Sequence, residues 1–140
     1  MPLKAPPSIV RDIMSRDCYR VTGTTSISTL AEGLALHRLP GAPVVDSHDH
    51  VIGFISEQDV LGKVIESLYL DVEAPLVNEL MRNEVLTVSP TKSIVDLAQE
   101  MLGAKPKIYP VTEQGRLIGI VTRRDVLNAV LSMRRQLRSA

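Results

Sequence analysis

Two short stretches of the chain combine residue types that can bind a polar ligand. Gly53-Phe54-Ile55-Ser56-Glu57-Gln58-Asp59 and Gly119-Ile120-Val121-Thr122-Arg123-Arg124-Asp125 each place a hydroxyl three residues before an aspartate, where an apolar run gives way to a helical pattern. A helix N-terminus has backbone N–H groups without partners in the helix, which favour an anion. A Ser or Thr hydroxyl can donate to a phosphate or ribose oxygen, and an aspartate can accept from both hydroxyls of a ribose. The glycine ahead of the strand end lets a ligand come close to the backbone. The same spacing has a plainer use. Ser56 or Thr122 caps the helix, and the aspartate completes a capping box and favours the helix dipole by about 0.3–1 kcal/mol. The residues by themselves leave both uses open.

The two stretches are the ends of an internal repeat. Val10-Arg11-Asp12-Ile13-Met14-Ser15 corresponds to Val77-Asn78-Glu79-Leu80-Met81-Arg82, and the same offset of 67 carries Val21 to Val88, Leu30-Ala31 to Leu97-Ala98, and Pro43-Val44 to Pro110-Val111. Beyond a one-residue deletion between Asp46 and Val51 the offset is 66, so this polar stretch, which becomes Gln114-Gly115-Arg116, reads as a turn. Ile27, Leu30, Ala31, Leu34 and Ala35 share one helical face, as do Ile94, Leu97, Ala98, Met101 and Leu102. Thr25 or Ser26 can cap the first helix, and Thr91 or Ser93 the second. Ala42–Val45 with Val51–Ile55, and Ile108–Val111 with Leu117–Val121, predict strand pairs. A second amphipathic helix follows in each copy, through Val60, Leu61, Val64, Ile65 and Leu68, and through Val126, Leu127, Val130 and Leu131. An early strand is expected at about Tyr19–Thr22 and Val85–Val88.

Each copy is therefore an α/β unit of order β-α-β-β-α. The expected boundaries are 8–70 and 76–136, with a connector at 71–75. A unit near 60 residues buries little of its surface alone, so the two copies are expected to pack together about a pseudo-twofold axis.

Composition narrows the function. The 140 residues carry sixteen basic and sixteen acidic side chains, which argues against nucleic-acid binding through bulk charge and against a polybasic membrane anchor. No Trp and one Phe leave little for stacking on bases. No apolar run reaches the roughly 20 residues of a membrane span, and Met1–Pro7 lacks the apolar region of a signal peptide, so a cytoplasmic location is expected. Cys18 is the sole cysteine, reads as a small strand residue and has no base arranged beside it in sequence. His48-Asp49-His50 sits in a predicted hairpin loop without further ligands, so no metal site is expected. There is no Gly-x-x-x-x-Gly-Lys-Ser/Thr, Gly-x-Gly-x-x-Gly or Gly-x-Ser-x-Gly motif. The expectation is a protein without catalytic residues. The basic stretch Met133–Arg138 reads as a helix end with a frayed tail.

The paired motifs, in register and in the same element order over about residues 8–135, resemble a tandem pair of cystathionine-β-synthase (CBS) domains, a Bateman module. The resemblance rests on Asp12–Ser15, Gly41–Asp46 and Gly53–Asp59 in the first copy, and on Glu79–Met81, Tyr109–Glu113 and Gly119–Asp125 in the second. It implies a regulatory module without catalytic activity that binds AMP, ADP or ATP, with S-adenosylmethionine also admitted and no cofactor required. It places ribose on Asp125, Asp59, Thr122 and Ser56. Adenine falls against Val21, Thr22, Ala42 and Val44, or against Thr87, Val88, Tyr109 and Val111. Phosphate falls to Lys105, Lys107, Arg123, Arg124 and Arg38.

The basic residues cluster in the second copy, whereas Glu57 in the first would repel phosphate, so the Asp125 site is expected to dominate. The resemblance also implies a homodimer and a separate regulated protein. The competing reading is a ligand-independent interaction or dimerisation module whose Ser/Thr-x-x-Asp motifs are only helix caps.

Overall fold

The computed structural model describes residues 6–69 and 75–139. The expected connector, 71–75, lies outside the described residues except for Pro75. In chain order the elements are a short 3-10 turn at Val10–Asp12, α1 (Ile27–His37), β1 (Gly41–Val45), β2 (Val51–Ser56), α2 (Glu57–Tyr69), α3 (Val77–Leu80), α4 (Ile94–Glu100), β3 (Ile108–Glu113), β4 (Arg116–Thr122) and α5 (Arg123–Ser139). The basic stretch Met133–Arg138 lies at the end of α5, which is helical to Ser139.

The chain physics of each element is visible locally. Ser26 caps α1 by accepting from Thr29 N at 3.1 Å, and Ser93 caps α4 by accepting from Asp96 N at 3.4 Å. The threonine candidates do other work: Thr25 Oγ1 accepts from Thr22 N, and Thr91 N donates to Ser89 Oγ. α1 ends at Arg38 in the left-handed region. α4 stops after seven residues, short of the expected face, because Leu102 N turns back to Gln99 O and Gly103 takes φ 84°.

β1 and β2 are antiparallel, pairing Gly41 with Ser56 and Val44 with Gly53, with a register shift at Val44/Val45. β3 and β4 form the matching pair. The length difference between the repeats lies in the turns. Gln114 and Gly115 both have positive φ, as a two-residue hairpin turn requires. The longer Asp46–His50 turn is held by Asp46 Oδ1, which accepts from His48 N at 2.8 Å and His50 N at 3.0 Å.

The expected early strands are reduced to single bridges, Val21 to Val44 and Val88 to Val111. Val21 N donates to Pro43 O and Val45 N to Val21 O, but Thr22 N already turns to its own hydroxyl partner, so no ladder extends. Cys18 accordingly lies outside any strand, although buried.

The described residues form two compact units. The first, here the Asp59 unit, contains Cys18–Leu86 and Gln114–Leu117; the second, the Asp125 unit, contains the described residues of Met1–Asp17, Thr87–Glu113 and Ile118–Ala140. The opening segment of each repeat therefore packs on the core of the other repeat. Val10 N donates to Lys92 O at 2.9 Å, and Ser15 and Ile120 exchange backbone bonds at 2.8 and 3.0 Å. In the Asp59 unit Val77 N donates to Thr25 O at 2.9 Å, and Arg82 and Phe54 exchange bonds at 2.8 and 2.9 Å. The cores record the exchange. Val77 is buried among Val21, Leu30, Val44 and Ile55, and Val10 among Ile94, Leu97, Val111 and Val121.

Candidate functional site

Ser56 closes β2 and Thr122 closes β4, so each hydroxyl stands where a strand becomes a helix. Ser56 N donates to Asp59 Oδ2 at 3.1 Å, and Asp59 N donates to Ser56 Oγ at 3.1 Å. Thr122 N donates to Asp125 Oδ2 at 2.9 Å, and Asp125 N donates to Thr122 Oγ1 at 3.2 Å. Both motifs are complete capping boxes. Each box engages one carboxylate oxygen and leaves the other.

That second oxygen distinguishes the two units. Asp59 Oδ1 lies 3.3 Å from Arg82 Nη2. Among the described residues no hydrogen bond or ion pair reaches Asp125 Oδ1. Thr122 Oγ1 accepts from Asp125 N and keeps its own proton for donation.

Within each unit the stretches expected to share a site are neighbours. Glu57 N, at the start of α2, donates to Pro40 O just ahead of β1. Arg123 N, at the start of α5, donates to Lys107 O at 2.8 Å, and Arg123 Nη2 donates to Lys105 O at 3.0 Å. Val88 N donates to Pro110 O and Thr112 N to Val88 O, which sets Thr87 and Val88 beside β3.

Exposure sorts the candidate contacts. Val21, Ala42, Val44, Val88, Tyr109 and Val111 are buried core residues, whereas Thr22 and Thr87 are exposed. Lys105, Lys107, Arg124 and Arg38 are exposed. Arg123 is half-buried; its guanidinium ties α5 to the Lys105 loop, and its Nε is buried without a partner. Burial pushes the Tyr109 phenol up; nearby Glu100 adds to the rise, while Arg123 and Lys92 oppose it. Lys92, paired with Glu100 at 2.6 Å, thus belongs to the charged surroundings of Tyr109. Its sequence setting, between the capping candidates Thr91 and Ser93, carries no sign of this role.

One sequence expectation is corrected outright. The space at Gly53 and Gly119 admits chain, not a ligand. A Cβ on Gly119 would stand 2.7 Å from Ser15 O, and one on Gly53 would stand 2.6 Å from Met81 Sδ and 3.0 Å from Arg82 O. The exchanged opening segments fill these places. Elsewhere, no group of three or more His, Cys, Asp or Glu side chains that could hold a metal occurs among the described residues. No helix among them is long and apolar enough to cross a membrane.

Comparison with known proteins agrees with this architecture. The chain is 28% identical over 145 aligned residues to the Arabidopsis thaliana CBS domain-containing protein CBSX1, chloroplastic, with 85% of the chain and 61% of the relative covered. It covers 41% of the length of another curated relative, the Methanocaldococcus jannaschii protein MJ1225, at 25% identity over 118 residues and 84% of this chain. Among solved structures it resembles CBSX2 in complex with AMP, at TM-score 0.79 and 28% identity, covering 91% of this chain and 99% of that one. It also resembles the CBS domain pair of MJ0100 in complex with 5′-methylthioadenosine and S-adenosylmethionine, at TM-score 0.75 and 25% identity, with 91% and 99% covered. The CBS domain family model matches residues 10–66 and again 77–132, nearly the whole described chain. The protein therefore belongs to the CBS domain family and carries two of its domains in tandem.

Proposed function

We propose that the chain is a regulatory module that binds an adenosine ligand of the AMP, ADP or ATP type, chiefly at Asp125. The carrying observation is the carboxylate of Asp125. One oxygen is fixed by Thr122 N, which orients the group, and among the described residues the other has no protein partner. An oriented acceptor of this kind suits paired ribose hydroxyls. Exposed Lys105 and Lys107 belong to the loop bonded to Arg123, two residues ahead, and Arg124 is exposed beside it. These cations would meet phosphate. Adenine would lie against the β3 edge near Thr87, with Val88, Tyr109 and Val111 forming the floor beneath. In the Asp59 unit the corresponding contacts are Thr22 over Val21, Ala42 and Val44, with Arg38 as the cation. The AMP and S-adenosylmethionine complexes of similar CBS-pair proteins support the choice of ligand class.

The module would act as a homodimer on a separate protein. A ligand can switch such a module only by binding one of its conformations more tightly.

The test is calorimetric titration with AMP, ADP, ATP, S-adenosylmethionine and GTP against the wild type, Asp125→Ala and Asp59→Ala. One adenosine ligand binds and GTP does not. Asp125→Ala weakens binding more than tenfold, since hydrogen bonds to a charged group contribute about 1.5–3 kcal/mol. Asp59→Ala has a smaller effect. Equal affinities in wild type and Asp125→Ala remove this site assignment. The complete capping boxes favour a second reading, in which the motifs serve only the fold and the module binds protein partners without a ligand. Absence of binding by every ligand to a folded sample selects it.

A further inference from the structure

Resting on the reading that these aspartates accept ribose hydroxyls, we propose that Arg82 is a built-in competitor for the ligand in the Asp59 unit. The two units share one frame around the aspartate and differ in the side chain that reaches it. In each, the residue after a methionine exchanges a pair of backbone hydrogen bonds with the last strand, Arg82 with Phe54 and Ser15 with Ile120. Arg82 and Ser15 are thus equivalent positions, held at the same place on their units. From that place the long guanidinium side chain reaches Asp59 Oδ1 at 3.3 Å. Ser15 is too short to do the same, and its hydroxyl turns instead to Asp17 O at 3.4 Å.

In the Asp59 unit one carboxylate oxygen belongs to the capping box and the other to Arg82. A ribose binding there must share that oxygen with the guanidinium or exchange for it. In the Asp125 unit no such exchange is needed, because among the described residues Asp125 Oδ1 carries no bond. Arg82 itself is 68% exposed and Asp59 18%. The pair is therefore accessible to salt, and displacement is a modest penalty, not an absolute block. Arg82 thus lowers ribose affinity at Asp59, in addition to the difference in phosphate-facing charge between the two sites.

The experiment isolates the Asp59 unit with Asp125→Ala and adds Arg82→Ser, which copies the residue of the other unit. Arg82 contributes no buried side chain, so the backbone pair with Phe54 persists in the variant. The probe is adenosine, which has no phosphate for an arginine to attract. Titration calorimetry of Asp125→Ala/Arg82→Ser shows adenosine binding about two- to fivefold tighter than Asp125→Ala, the scale of a partly exposed ion pair. In Asp125→Ala the affinity also rises between about 0.01 and 1 M salt, as the screening length falls from about 30 to 3 Å, and the double variant loses that rise. Equal affinities overturn the competitor role and leave the proposed function standing. So does undetectable binding by the double variant while the wild type binds adenosine or AMP. If the wild type binds neither adenosine nor AMP, the competitor role and the proposed function fall together.

Discussion

Thr122 can be separated from Asp125 by what each gives the helix start. Its Oγ1 is the acceptor for Asp125 N, one of the N–H groups that α5 cannot satisfy from within. Thr122→Ala lowers stability by about 0.5–2 kcal/mol, read from urea unfolding midpoints, and Thr122→Ser restores most of it. The same variant controls for the binding experiment. It damages the capping box while keeping the carboxylate, whereas Asp125→Ala removes both the box and the acceptor. Affinity should therefore fall further in Asp125→Ala than in Thr122→Ala. Equal losses would mean that the aspartate acts only by holding the helix start. At this scale the sequence was informative about residue type and silent about occupancy. The Ser/Thr-x-x-Asp spacing announced both boxes, but the engagement of Asp59 by Arg82 depends on a side chain 23 residues away that follows an unremarkable methionine.

At the scale of elements, the docking of the opening segments is the feature most open to test. Gly119 has its missing Cβ aimed at backbone, Ser15 O at 2.7 Å, with Met14 Sδ at 3.0 Å. Backbone held by two hydrogen bonds to Ile120 cannot move aside cheaply, so Gly119→Ala destabilises by about 1–3 kcal/mol. Gly62, inside α2, meets nothing within 4 Å, and Gly62→Ala stabilises by about 0.4–1 kcal/mol through the unfolded chain. Opposite shifts in thermal midpoint check the pair; a neutral Gly119→Ala would show that the segment is loosely held. The helices and hairpins themselves were legible because apolar periods of 3.6 and short apolar runs survive in both repeats. The early strands were not, since the Thr22 and Thr91 turns end what a β-rich run would continue. The exchange of opening segments was also invisible. An offset of 67 shows that Val10 and Val77 are equivalent, but equivalent residues fit either core, and nothing in their types says which one they join.

For the whole molecule the open question is what meets the outer helices. Of the apolar stripe of α2 only Val60 is buried, while Leu61, Val64, Ile65 and Leu68 stay exposed at spacings of one helical face. α5 repeats this with Leu127, Val130 and Leu131. Each stripe borders an apolar groove, of about 240 Å³ between α1 and α2 and about 280 Å³ between α4 and α5. Exposed apolar stripes of this kind suit an interaction surface, and a twofold dimer lets the same surface serve both partners. The proposed homodimer would bury these stripes against a second copy. Sedimentation equilibrium then gives twice the 15.4 kDa chain mass for the wild type. Leu61→Glu with Leu127→Glu gives the monomer mass at unchanged helical content, because both leucines are more than half exposed and contribute little to their own cores. A wild type that stays monomeric at high concentration would reassign the stripes to a different protein.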